Sequence, residues 1–130
     1  MKDAREPWLK PIGASSKVLS DLKAAVPSLP SSYLSLLASG NGGETSLASS
    51  AGNFCLDSAE FALDYFKSDT YTATDVFVFG GDGGGTLFAF DMSKDEPWPI
   101  VEYDPIDPEG SMAIVADSFD SFLQLAGDEA

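Results

Sequence analysis

The sequence holds no histidine. A Ser-His-Asp or Cys-His nucleophile system therefore has no base to activate it, and those chemistries are excluded for this chain. Cysteine is nearly absent as well. Cys55 stands alone, so no intrachain disulfide can form, and a reducing cytosol is the expected compartment. Lying in an apolar strand segment, Cys55 reads as core filler rather than as a nucleophile. No stretch approaches the roughly 18 apolar residues that a membrane span needs. Met1 to Gly13 is charged and broken by prolines, with none of the apolar character of a signal peptide. The expectation is a cytoplasmic protein with no membrane association.

Positive charge is the third shortage. Lys and Arg number 7 against 21 Asp and Glu, a net charge of −14. Five of the basic groups lie before Ala24, beside three acidic ones; from Ala24 onward two basic groups face 18 acidic ones, a net −16. Such a field repels nucleic acid and anionic membrane and draws in basic proteins, by steering more than by raw affinity. The competing reading is that acidity only keeps the protein soluble.

What is present fits one domain, since 130 residues suffice for a single core and no more. Apolar residues at 44% argue against disorder. The organising stretch runs from Asp75 to Asp91, where Val76 to Phe79 and Leu87 to Phe90 flank Gly80-Gly81-Asp82-Gly83-Gly84-Gly85. Two runs of β-formers around a glycine loop predict a hairpin. Val76 and Val78 share one face and Phe77 and Phe79 the other, with Leu87 and Ala89 set against Phe88 and Phe90 in the same way. Both faces are apolar, so the pair belongs inside a sheet with helices over at least one side.

Residues 1–13 read as an extended arm, held to the core by Trp8 and Leu9, ahead of a domain over 14–130. Ser15 or Ser16 caps a first helix whose Val18, Leu19, Leu22 and Val26 recur at helical spacing up to Pro27. A second helix begins at Leu29-Pro30, with Pro30 in its first turn and Tyr33, Leu34, Leu36 and Leu37 as its buried stripe. It ends near Ser39, where Gly40-Asn41-Gly42-Gly43 reverses the chain in left-handed conformations. Glu44 to Ser50 is weakly β and Asn53 to Leu56 a short strand. Asp57, with Glu60 three residues on, imitates a capping box for a third helix with Phe61, Ala62, Tyr65 and Phe66 inward. After the hairpin come a turn over Met92 to Pro97, a strand near Pro99 to Tyr103, and an irregular proline-glycine loop from Asp104 to Gly110. Met112 to Ala116 is a last strand. Asp117 or Ser118 then caps a closing helix with Phe119, Phe122, Leu123 and Leu125 on one side, ended by Gly127. Helices before and after a run of strands define an α+β class with an antiparallel meander.

Motifs that would hold a cofactor are missing. The glycine loop has no Gly-Lys-Ser/Thr and Thr86 stands where a dinucleotide fingerprint needs its third glycine, while Asp82 and Asp91 would repel phosphate. Asp104, Asp107 and Glu109 are hard oxygen ligands, but their spacing matches neither an EF-hand nor a calcium-binding repeat, and solvated loop carboxylates are the better reading. Ser20 and Lys23 form a bare S-x-x-K without its companions, one exposed helix face. Paired carboxylates for glycoside hydrolysis are uninformative in so acidic a chain. No cofactor, metal or catalytic residue is expected. The rim at Asp82, Asp104, Asp107 and Glu109 is the candidate surface for a protein partner, since glycines and prolines beside these residues keep them out of regular buried structure.

Three segments in order carry a family resemblance. They are Leu29-Pro30-Ser31-Ser32-Tyr33-Leu34-Ser35-Leu36-Leu37 with Asn41-Gly42-Gly43; Phe79-Gly80-Gly81-Asp82-Gly83-Gly84 with Phe88-Ala89-Phe90-Asp91; and Ala116-Asp117-Ser118-Phe119-Asp120-Ser121-Phe122-Leu123. Together they resemble the SMI1/KNR4 family of the SUKH superfamily over about Leu29 to Leu125. The resemblance implies a single α+β domain, with an antiparallel or mixed curved sheet of about five or six strands and about four helices, and no catalytic activity. It also implies a protein partner. Bacterial members of the family are immunity proteins that neutralise toxins, often nucleases, and fungal members are linked to cell-wall assembly and signalling. A nuclease toxin must be basic to hold nucleic acid, so an acidic inhibitor is physically sensible. A regulatory scaffold binding host proteins and a carboxylate-based hydrolase stay open as alternatives.

Overall fold

Ser15 starts the first helix in the computed structural model, which describes residues 8–46, 53–68 and 75–125. Its hydroxyl accepts the Val18 N–H at 3.2 Å and so satisfies one of the donors a helix start leaves free. Helix α1 (Ser16–Ala25) buries Val18 and Leu22, and Val26 follows them into the core before Pro27. Helix α2 (Ser31–Ser39) has Pro30 as its N-cap, one residue outside the first turn where the sequence placed it. The reason lies in the dihedrals: ψ is 140° at Pro30, and from that extended position its carbonyl accepts from Tyr33 and Leu34. Leu29, Tyr33, Leu36 and Leu37 are buried; Leu34 is only half-buried.

The chain does not turn left-handed at Gly40, which is extended at φ −164°. A side chain there would put its Cβ 2.5 Å from that of Leu9 and 2.6 Å from the Lys10 carbonyl, so glycine is needed for close approach. The left-handed step falls at Gly42, φ 110°. This contact shows how the start of the described chain is held: Leu9 is buried, pairs with Gly43 as a single antiparallel bridge, and Trp8 sets its ring edge-on to Phe54 at 5.8 Å.

Six strands follow in sequential order, every neighbouring pair antiparallel: β1 (Gly43–Ser46), β2 (Asn53–Leu56), β3 (Val76–Gly81), β4 (Leu87–Asp91), β5 (Ile100–Tyr103) and β6 (Ala113–Ala116). No parallel pair makes the sheet mixed. The fold is a single α+β domain. Helix α3 (Ala59–Lys67) interrupts the meander between β2 and β3, a one-turn helix α4 (Pro108–Ser111) lies between β5 and β6, and α5 (Phe119–Leu125) ends the described chain. The α4 turn falls inside the loop expected to be irregular, because the Asp107 carboxylate accepts the Gly110 N–H at 3.2 Å and caps it. Residues 1–7 of the expected arm, residues 47–50 of the weakly β stretch and Gly127 lie outside the described residues.

The alternation of the hairpin is realised. Phe77, Phe79, Phe88 and Phe90 join Phe54, Ile100, Tyr33, Leu37, Phe119 and Phe122 in one core; Val76, Val78, Ala89, Val101 and Tyr103 form the other face with Tyr65, Leu87 and Met112. Asp91, opposite Val76 at the end of β4, is a buried polar residue, and its carboxylate accepts the Ser93 N–H at 3.0 Å to close the β4–β5 turn.

The start of the third helix moves by one residue. Ser58, not Asp57, caps α3, its hydroxyl accepting from Phe61 at 3.1 Å. The inward face of α3 is Ala59, Ala62 and Leu63, with Phe66 half-buried against Phe77, while Phe61 is 55% exposed and stacks on Tyr65. Of the two caps the sequence offers α5, Asp117 and Ser118, Ser118 is the one used: its hydroxyl accepts the Ser121 N–H at 3.2 Å. In α5 Phe119 and Phe122 are buried, and Leu123 packs at their margin. Ser118→Ala should lower stability by about 1 kcal/mol, whereas Asp117→Ala, at an exposed site, should stay within about 0.5 kcal/mol. Urea melts of the two variants check this, and equal losses would move the cap back to Asp117.

Candidate partner-binding end of the sheet

In an antiparallel meander, alternate connections gather at the same end. Gly81 pairs with Leu87 and Leu87 with Tyr103, so the Asp82–Thr86 turn and the segment leaving β5 at Asp104 sit side by side. That register brings the four carboxylates singled out in the sequence to one end of the sheet. Asp104, Asp107 and Glu109 are exposed, and Asp82 is half-buried.

Three of the four also hold their own backbone. The Asp82 carboxylate accepts N–H bonds from Gly84 at 2.8 Å and Thr86 at 3.1 Å, while its own N–H donates to the Thr86 carbonyl. Gly83 (φ 82°) and Gly85 (φ 121°) supply the left-handed steps of that turn; Gly84 has no positive φ and serves as a donor. Gly80 matters for space, since a Cβ there would lie 2.3 Å from the Cys55 carbonyl. Asp104 accepts from Ile106 at 2.9 Å, its N–H donates to the Ser111 hydroxyl at 2.7 Å, and Asp107 caps α4. The Asp82 and Asp104 bonds are Asx turns and the Asp107 bond is a helix cap, and both kinds hold a loop in place. One oxygen of each aspartate is committed to the turn, and no bond among the described residues occupies the other. The result is a set of negative charges on a stiff frame rather than on mobile side chains.

Among the described residues no ion pair engages them. After Lys67 the sequence has one further basic residue, Lys94, and it lies in the β4–β5 turn at the opposite end of the sheet. Lys17 is engaged with Asp21 at 3.2 Å, far along the helical side. Among the described residues no three carboxylate or thiol groups converge as a metal site, and no helix is long and apolar enough to cross a membrane.

The Asn41-Gly42-Gly43 motif has its own task. The Asn41 side-chain carbonyl accepts the Ala59 N–H and its amide donates to Glu60, both at 2.7 Å, so one side chain ties the end of α2 to the start of α3. That bond holds the Glu60 carboxyl below its ordinary range. Cys55 is half-buried rather than core: it lines an open cleft of about 450 Å³ with Trp8, Lys10 and Glu44, and its thiol donates to Glu44 at 3.5 Å. Burial, then Glu44, push its pKa up, which suppresses the thiolate.

Asp57 was read from the sequence only as a cap, and its placement explains something else. Burial pushes its carboxyl up to about 6. An unfolded aspartate titrates near 3.9. Between those values the folded chain keeps a proton the unfolded chain has lost, so the contribution of Asp57 to stability is greatest at low pH and is lost as pH rises through about 6. Asp57→Asn should therefore stabilise the protein at pH 7 by on the order of 2 kcal/mol, allowing for partial solvent screening, and by almost nothing at pH 4. Thermal melts at the two pH values decide it; an equal gain at both would assign the effect to something other than ionisation.

The fold and this end of the sheet define a class: a single α+β domain on an antiparallel meander, presenting fixed carboxylates at one end. A comparison with protein families makes the assignment specific. Residues 13–125 match the SMI1 / KNR4 family (SUKH-1), and the chain belongs to that family. No curated protein matches the chain.

Proposed function

We propose that this chain is a non-catalytic protein-binding domain that acts as an immunity protein, neutralising a basic toxin domain in the cytoplasm. Membership of the SMI1 / KNR4 family fits a protein-binding or immunity role. The observation that carries the finer reading is the acidic end of the sheet, where Asp82, Asp104 and Asp107 are held by their own turns, Glu109 stands exposed beside them, and no ion pair among the described residues engages any of the four. Fixed charge of one sign raises the encounter rate with a partner of the other and disfavours like-charged ones. A nuclease toxin is a partner of the right sign, because it needs a basic surface to hold its own substrate.

Affinity capture on the purified chain from its source cells, followed by mass spectrometry, tests this. The expected partner is a protein with a strongly basic domain whose toxicity on expression is relieved when this chain is co-expressed. Capture of acidic proteins only, or a captured basic protein whose toxicity persists on co-expression, would overturn the reading.

A further inference from the structure

An open six-stranded meander has two edges, and this one treats them differently. At β1, Leu9 bridges Gly43 and the Lys10 N–H donates to the Gly42 carbonyl at 2.9 Å, so the start of that edge is covered. At β6, among the described residues, no backbone hydrogen bond beyond the β5 ladder reaches Ala113 to Ala116.

Natural edge strands are blunted by lysine, proline or inward-pointing charge. Ala113-Ile114-Val115-Ala116 has none of these. Its defences are brevity and one irregularity in its pairing with β5, between Ile100 and Val101. Ile114, opposite Val101, is 65% exposed, and Ile106 in the adjoining loop is 91% exposed. An unpaired strand with exposed apolar side chains is a template for one more strand.

The flanks say what that strand must carry. Before β6 stand Asp104, Asp107 and Glu109; after it stand Asp117 and Asp120, all exposed. No lysine or arginine occurs after Lys94. A segment laid along β6 would have both ends among carboxylates. A second copy of this chain fits poorly, since antiparallel pairing of two β6 edges would set Asp104–Glu109 of one copy near Asp117–Asp120 of the other, on molecules that each carry −14.

We infer that the outer edge of β6 receives an extended segment of the partner protein, basic at its ends and apolar where it meets Ile114, as a seventh strand. This rests on the reading of the chain as a binder of basic proteins and names the element the partner engages. Main-chain hydrogen bonds to Ala113–Ala116 supply the attachment, and Asp104, Asp107, Glu109, Asp117 and Asp120 select for lysine and arginine.

The test is an amide NMR titration of the full chain with a blocked octapeptide of alternating lysine and valine, and with its glutamate counterpart as control. The lysine peptide should shift Ala113 to Ala116 saturably at low salt, and the glutamate peptide should not. Ile114→Lys should weaken the lysine peptide about tenfold or more while leaving the melting temperature unchanged, the side chain being largely exposed. Shifts that map elsewhere, no shifts at all, or sedimentation showing a dimer that Ile114→Lys dissociates would each overturn the assignment. The two readings fail separately. A captured basic partner that leaves the β6 amides undisturbed sinks the edge assignment alone, whereas capture that yields no basic protein sinks the functional reading without touching the peptide result.

Discussion

Phe79→Ala should destabilise the fold by about 3–5 kcal/mol, the range for deleting a buried aromatic side chain. Phe79 is fully buried and its ring lies within 4.8–6.0 Å of the rings of Tyr33, Phe54, Phe90, Phe119 and Phe122, which reach it from α2, β2, β4 and α5. It also sits where the β3–β4 register shifts, between Val78 and Gly80, so its backbone leaves the regular ladder while its side chain fills the centre of the core. Truncation removes contacts to five rings at once, three of them edge-on, and neighbours drawn from four elements cannot all move in to close the gap. Against a total stability of roughly 5–15 kcal/mol, such a loss leaves the variant close to unfolding. The counterpart is Phe61→Ala. Phe61 is half exposed and stacks on Tyr65 alone among the described rings, so its loss should stay within about 0.5 kcal/mol. Denaturant melts of the pair check the assignment of the core, and comparable losses would contradict it.

That contrast marks how far the sequence could be read. The two faces of the hairpin were legible, because alternation of Val with Phe over Val76–Phe79 and of Leu87 and Ala89 with Phe88 and Phe90 has one solution on a pleated strand, whereas its extent was not, since Gly80 and Gly81, read as loop, belong to β3 and the register shifts between Val78 and Gly80. Phe61 was misassigned because Phe61, Ala62, Tyr65 and Phe66 share a helical face about as well as Ala59, Ala62, Leu63 and Phe66 do. Only the docking of α3 on Phe77 decides between them. The start of α3 slipped by one residue, and that of α5 stayed open between two, for a related reason. Asp57-Ser58 and Asp117-Ser118 each offer two capping side chains in a row, and local pattern does not rank them. The serine caps in both places.

At the acidic end the residue types were readable and their double duty was not. Glycine and proline around Asp82, Asp104 and Asp107 identified surface turns, but the hydrogen bonds by which these carboxylates close those turns depend on backbone direction. The same holds for Asn41, whose bond to Ala59 spans 18 residues and has no local signature. Convergence of the four carboxylates required the strand register. The open edge at β6 needed the sheet order as well, since Ala113 to Ala116 reads as any short apolar strand.

The double duty dictates how the charge must be altered. Lysine at Asp104 or Asp107 would remove the acceptor for Ile106 or Gly110 and unpick the loop, confusing lost charge with lost structure. Asparagine keeps an acceptor oxygen and drops the charge, so Asp82→Asn, Asp104→Asn and Asp107→Asn combined with Glu109→Lys leave the turns in place. That variant should melt with the parent and associate with a basic partner slower by an order of magnitude or more at low salt. A purely solubilising role for the acidity predicts no such change.

The measurement that bears most directly on the account is the association rate constant of the wild type and this quadruple variant with the captured partner, at low ionic strength and again near 0.15 M salt, where screening sets in at about 8 Å. If the fixed carboxylates at the end of the sheet steer a basic protein into place, the wild-type rate falls steeply with salt and the variant begins low and changes little. Equal rates for the two proteins, insensitive to salt, would contradict it.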